Sequence, residues 1–140
     1  MSENKENIMD KFCIEFKVRD YECDLQGVVN NANYQHYLEH ARHEYFLSKG
    51  ISFAKYHDEG IDLTVTRVEI DYKYPLRSGD RFIVAVEIQR EGNVRLTFNQ
   101  TILRIPDNKL IVVGKVTGVA TKKGRPIAPP SNMLTQLELE

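Results

Sequence analysis

The sequence is poor in residues that announce a chemistry by themselves. Only two of its 140 residues are cysteine, Cys13 and Cys23. They form no Cys-x-x-Cys pair and have no zinc-ligand spacing, so neither a disulfide framework nor a zinc module is expected from them. Such sparse cysteine fits a reducing, cytoplasmic setting. No apolar run approaches the roughly 20 residues that span a bilayer. Net charge is almost absent, with 19 Lys and Arg against 20 Asp and Glu leaving -1. Nucleic acid is therefore a poor bulk electrostatic partner, because neutralising phosphates takes a clear basic excess. There is no serine nucleophile elbow, no Walker loop and no dinucleotide-binding glycine pattern. Internal repeats and low-complexity stretches are missing too. The first ten residues carry Glu3 and Glu6, which fits neither a secretory signal nor an acid-poor transit peptide.

What is present is the composition of one soluble globular domain, 41% hydrophobic and 28% charged. A chain of 140 residues buries roughly two thirds of its unfolded surface without metal or disulfide staples. A single domain over residues 1–140 is expected, with residues 1–10 and 126–140 as loosely ordered tails. The near-neutral total hides an asymmetry: residues 1–70 hold 8 basic and 13 acidic side chains, residues 71–140 hold 11 and 7.

Periodicity supplies the elements. Phe12, Ile14, Phe16 and Val18 alternate with polar neighbours, as in a half-buried strand. From Tyr34 the period changes: Tyr34, Tyr37, Leu38, Ala41 and Tyr45 trace one apolar stripe of a helix. That helix is predicted from about Ala32 to Lys49, with Asn31 as N-cap and Gly50 as the stop. After a short Phe53–Glu59 segment the chain reads as strands. Ile61, Leu63 and Val65 share one parity and Val68, Ile70, Tyr72 and Tyr74 the other, which predicts a bulge near Thr66–Arg67. Strands follow around Phe82–Ile88, Val94–Phe98 and Leu110–Thr121, and Pro126, Pro129 and Pro130 are read as ending regular structure. The expected class is α+β: an antiparallel five-stranded sheet wrapped around one long helix. Such a sheet leaves edges open, so self-association into a homodimer or homotetramer is expected.

The informative stretch is Val18–Phe46. Asp24 puts a carboxylate in a loop just before the helix, and Gly27 permits a tight turn between them. The first N–H groups of the helix lack intrahelical partners, and the helix dipole makes that end electropositive. A carboxylate facing free N–H donors meets two needs of acyl hydrolysis, a group to activate water and a group to hold the oxyanion. On spacing alone this is a weak signal, and a turn or capping aspartate is the favoured reading of Asp24.

The run Asp24-x-x-Gly27-x-Val29-x-Asn31-x-x-Tyr34, followed by Glu39-x-x-Arg42-x-Glu44, resembles the hotdog-fold acyl thioesterases of the 4-hydroxybenzoyl-CoA thioesterase type. Within them it is especially similar to the acyl-acyl-carrier-protein thioesterases of plants and their bacterial relatives. Tyr72-x-x-Pro75-Leu76-x-x-Gly79-Asp80 resembles the same family's turn between its second and third strands. The resemblance implies a hotdog fold and hydrolysis of acyl thioesters of acyl carrier protein or coenzyme A, with no cofactor and no metal. It implies Asp24 as the catalytic carboxylate, acting on water or attacking directly, and Gly27 as the residue that shapes the loop. Backbone N–H groups at Asn31 and Ala32 are implied to polarise the carbonyl, with Tyr34 as a packing wall of the site. Thr64 and Thr66 are candidate substrate hydrogen-bonders, although threonine is also simply a good strand former.

Other candidates have plainer readings. His36, His40 and His43 share a helix face but lack an evident carboxylate partner for a metal. Glu39 and Arg42 read as a helix ion pair. Lys122, Lys123 and Arg125 form a short basic cluster able to meet a phosphate or end a strand in solvent. Gly114 and Gly118 read as close-packing positions. Two alternatives to hydrolysis remain: a hotdog hydratase or dehydratase, which pairs its aspartate with a histidine five residues later where this chain has Val29, and a non-catalytic acyl-binding module.

Overall fold

Alternating apolar residues give each strand one face for a shared core. The computed structural model describes residues 11–140; the expectation for residues 1–10 lies outside them. It contains β1 (Phe12–Lys17), a 3-10 turn (Asp20–Glu22), α1 (Asn31–Ser48), α2 (Phe53–Asp58), β2 (Ile61–Tyr72), β3 (Arg81–Glu91), β4 (Arg95–Ile105), β5 (Lys109–Lys122), β6 (Arg125–Ile127) and α3 (Ser131–Leu137). The strands lie in the order β1-β3-β4-β5-β2, and every pairing is antiparallel. The short β6 pairs with β5, so the expected five-stranded sheet gains a sixth, three-residue strand.

The stripe on α1 is buried against this sheet: Tyr34, Tyr37, Leu38, Ala41, Tyr45 and Phe46 all face the core. Phe16 stacks on Phe82 at 5.1 Å, and Tyr37 closes on the same ring at 4.7 Å. Each large side chain buried this way contributes about 1.5–3 kcal/mol. Gly114 of β5 allows the close approach, since a Cβ there would meet Leu38 Cδ1 at 3.0 Å. The β2–β5 register shifts between Val65 and Arg67, which is the bulge that the parity switch predicts.

Two expectations are corrected, and the short segment between α1 and β2 gains a structure. The N-cap of α1 is Asn30, and the helix ends at Ser48 with Lys49 as C-cap. Phe53–Asp58 is a helix, started by Ser52, whose hydroxyl accepts from Lys55 N. The 126–140 tail is not loose: β6 and α3 occupy it, and Met133, Leu134 and Leu137 are buried. Proline at the N-cap needs no N–H and presets φ, so Pro130 starts a helix rather than ending structure.

β2 differs from the other long strands. It lies at the end of the strand order, and Val65, Val68 and Tyr72 are 39–48% exposed.

Candidate active site

The segment joining β1 to α1 folds back on itself, and its backbone amides can be followed one by one. Gln26 N–H donates to Asp24 Oδ1 at 2.8 Å, Gly27 N–H to Asp24 O at 3.0 Å, and Val28 N–H to Asp24 Oδ1 at 3.4 Å. Val29 N–H donates to Leu76 O, and Asn30 N–H to Glu22 O. Ala32 N–H donates to the Asn30 side chain at 3.0 Å, and Asn33 N–H to Asn30 O at 2.9 Å. In the run Gln26–Asn33, Asn31 is the one residue whose N–H has no acceptor among the described residues. It sits on the first residue of α1, where the helix dipole favours negative charge.

Asp24 stands at the other side of this turn. Its Oδ1 organises the loop, whereas Oδ2 has no hydrogen-bond partner among the described residues. The two readings of Asp24 are thus compatible, because one oxygen makes the turn and the other is left for chemistry. Gly27 holds a φ of 79° with open space around it. That left-handed conformation, rather than crowding, is what favours glycine there.

Two anchors fix the turn to the body of the protein. Tyr34 is 2% exposed, and its hydroxyl accepts from Leu76 N–H at 3.0 Å, while Leu76 O accepts from Val29 N–H. Burial pushes the Tyr34 phenol pKa up, so the hydroxyl stays neutral. On the other side Glu22 O accepts from Asn30 N–H and from Asn33 Nδ2.

A match over residues 18–137 to the description "Thioesterase-like superfamily" covers this turn and nearly all of the fold. The chain belongs to that superfamily. It is 42% identical over 121 residues to a chloroplastic acyl-acyl carrier protein thioesterase of Arabidopsis thaliana, covering 86% of this chain but only 64% of that relative's length. A solved structure from Aquifex aeolicus matches with a TM-score of 0.84 at 28% identity, over 90% of this chain and 98% of that one. The fold is likewise that of a 1,4-dihydroxy-2-naphthoyl-CoA thioesterase from Synechocystis, with a TM-score of 0.86 at 20% identity, over 91% and 95% of the two chains. These likenesses place the chain in the hotdog fold.

Within the superfamily's fold, the remaining expected site residues take different places. Ala32 N–H is occupied by the Asn30 cap, so of the two expected donors only Asn31 N–H is open. Tyr34 is a core residue with its oxygen engaged, and it lines no exposed surface. Thr64 Oγ1 meets Thr121 Oγ1 at 3.2 Å, and Thr66 Oγ1 donates to Thr117 O at 3.3 Å. Both threonines lie some 20 Å or more along β2 from Tyr72 at ~3.3 Å per residue. Tyr72 is the β2 residue whose ring meets Tyr34, at 5.6 Å. One chain therefore does not bring Thr64 or Thr66 to Asp24. His36 Nδ1 pairs with Asn33 Oδ1, while the rings of His40 and His43 lie against Phe16 and Phe53 respectively, so the three do not converge. Lys122 and Arg125 pair across the β5–β6 hairpin.

Glu22, Asn30 and Asn33 were not singled out by spacing, although the short Asn30-Asn31-Ala32-Asn33 run, dense in capping side chains, was a signal for them. A cavity of about 470 Å³ also lies beyond sequence reasoning. Phe46, Phe53, Leu63, Val65 and Phe98 wall it, with Arg42 and Glu39 at its edge. Arg42 donates to Gln100 Oε1 at 3.1 Å, and Gln100 Nε2 donates to Leu38 O. Burial lowers the Arg42 pKa, opposed by nearby Glu39. From Asn31 to Arg42 the helix rises about 16 Å.

Proposed function

We propose that this protein hydrolyses acyl thioesters of acyl carrier protein or coenzyme A to free acid and thiol. The observation that carries the reading is that the loop before α1 leaves one carboxylate oxygen, Asp24 Oδ2, and one backbone amide, Asn31 N–H, without partners among the described residues. The carbonyl oxygen of the thioester binds Asn31 N–H at the positive end of α1, where charge developing on it is stabilised. Asp24 then takes a proton from water as the C–O bond forms, and returns it to sulfur as the C–S bond breaks. In the direct route Asp24 attacks the carbonyl itself, thiolate leaves, and water opens the resulting anhydride. Single turnover in ¹⁸O-water tests the direct route, because label in the Asp24 carboxylate requires the anhydride, with water adding at its aspartyl carbon.

The name of the Arabidopsis relative, an acyl-acyl carrier protein thioesterase, supports the substrate class. The 470 Å³ cavity falls in the range of small-ligand sites, and we assign it to the distal part of the acyl chain. The hydratase reading lacks support at Val29, which is 3% exposed and has no acid–base side chain. Pure acyl binding would leave Asp24 Oδ2 and Asn31 N–H without a role.

Asp24→Asn is the direct test. Thiol release from decanoyl-CoA, palmitoyl-CoA and the matching acyl carrier protein thioesters is expected to fall ~10²–10⁴-fold with unchanged melting. Activity within a few-fold of native removes Asp24 from the mechanism.

The open β2 edge and its exposed Val65, Val68 and Tyr72 suit pairing with a second copy of this chain, which we take as the basis of a homodimer or homotetramer. Sedimentation at micromolar concentration giving a 16.2 kDa species rules that out. The sparse cysteine of the chain, Cys13 and Cys23 alone, fits the cytoplasmic setting we propose; separately, no described helix is long and apolar enough to cross a membrane. Alkylation of both thiols in freshly lysed cells tests the setting; protection of either by oxidation counts against it.

A further inference from the structure

Glu22 is the only charged side chain buried among the described residues, at 7% exposed. Burying a carboxylate is unfavourable unless it is paired and hydrogen-bonded, and this one is both. Oε1 accepts from Arg19 N–H at 2.8 Å, and Oε2 pairs with the Arg19 guanidinium at 3.2 Å. These bonds close the 3-10 turn Asp20–Glu22 that delivers the chain to Asp24. The carbonyl of the same residue accepts from Asn30 N–H at 3.0 Å and Asn33 Nδ2 at 2.8 Å, one on each side of Asn31. The buried Tyr37 hydroxyl, one turn further along α1, makes no hydrogen bond of ordinary geometry, and its phenol is pushed up by burial and by Glu22. Side chain and main chain of one residue therefore hold both halves of the site.

We propose that Glu22, with Asn33, is a positioning residue for thioester hydrolysis, setting the separation between the Asp24 carboxylate and Asn31 N–H. This rests on the function proposed above. Neither residue needs to touch the substrate. Their effect falls on reaction geometry, where a displacement of about 1 Å can lower the rate ~10²-fold.

Steady-state kinetics on decanoyl-CoA and thermal melting test it with four variants. Glu22→Ala is expected to lower kcat about 10–100-fold with KM within about twofold of native. Glu22→Gln keeps an oxygen for Arg19 N–H and is expected to recover most of that kcat. Asn33→Ala, which leaves the buried carboxylate in place, is expected to lower kcat several-fold at constant KM; it decides the matter if Glu22→Ala does not fold. Native kcat in folded Glu22→Ala or in Asn33→Ala, a loss confined to KM, or equal loss in Glu22→Gln and Glu22→Ala each overturns the proposal. Asp24→Asn separates the two readings. If it is inactive while Glu22→Ala is fully active, only the Glu22 assignment falls; if it is active, the Asp24 mechanism falls and this one with it.

Discussion

The two ends of α1 are built from opposite materials. At the N-terminal end, the backbone amides of Gln26–Asn33 all find acceptors among the described residues except Asn31 N–H, and Asp24 Oδ2 is left unpaired. At the C-terminal end, Phe46, Phe53, Leu63 and Phe98 surround open volume, with Arg42 held at it by a hydrogen bond to Gln100. Hydrogen bonds fall off steeply with distance and angle, so the first end tolerates little displacement. Apolar contact is non-directional, so the second can take chains of different length. A reaction centre and a selectivity region can thus sit on one helix about 16 Å apart.

The contrast can be broken at either end. Phe46→Ala removes a fully buried ring and is expected to lower unfolding free energy by about 3–5 kcal/mol. The proposed reaction centre lies at the far end, so kcat on short acyl thioesters is expected to stay within a few-fold while preference moves toward longer chains. Denaturant unfolding and a chain-length panel measure both, and a collapse of short-chain kcat would erase the division between the ends. Tyr34→Phe makes the smaller, opposite change. It leaves the buried Leu76 N–H without its acceptor, at about 1–3 kcal/mol. It also loosens the strap that holds Val29, so kcat is expected to drop about tenfold on every chain length alike. A drop that depends on chain length would show that the strap serves selectivity instead.

The smallest effect belongs to His57, which ties the end of α2 to Asp62 at the start of β2 across a 2.7 Å contact. The hydrogen bond and charge of Asp62 raise the His57 pKa. A raised folded value means that the protonated form stabilises the fold. That contribution is full below the ordinary imidazole value of about 6.5 and is lost as pH rises through the higher folded value. His57→Gln is expected to flatten a slight stability rise on acidification in melting curves at several pH values. A larger rise in the variant would reverse the sign of the interaction.

Much of the fold was legible because it rests on periodicity. The α1 stripe and the parity switch around Thr66 both reflect burial of one face, which sequence spacing records directly. The N-cap was misread by one residue because Asn30, Asn31 and Asn33 all have capping side chains; the hydrogen bond from Ala32 N–H to Asn30 selects among them. The α3 helix was missed because three prolines preceded it, although Met133, Leu134 and Leu137 already carried a helical spacing. Thr64 and Thr66 illustrate the limit for site residues. Their type allowed a substrate contact, but their distance along β2 from the α1 start depends on how strands are ordered in the sheet.

The sequence by itself determined the class of the fold, the position of the bulge and the carboxylate at Asp24, since each follows from local spacing or from a motif written in consecutive residues. Tertiary structure decided which amide stays free. That outcome depends on Leu76 reaching Val29 from 47 residues away and on Glu22 reaching Asn30 and Asn33. An amide is open only when every neighbouring acceptor has been assigned elsewhere, and that assignment is a property of the packed chain.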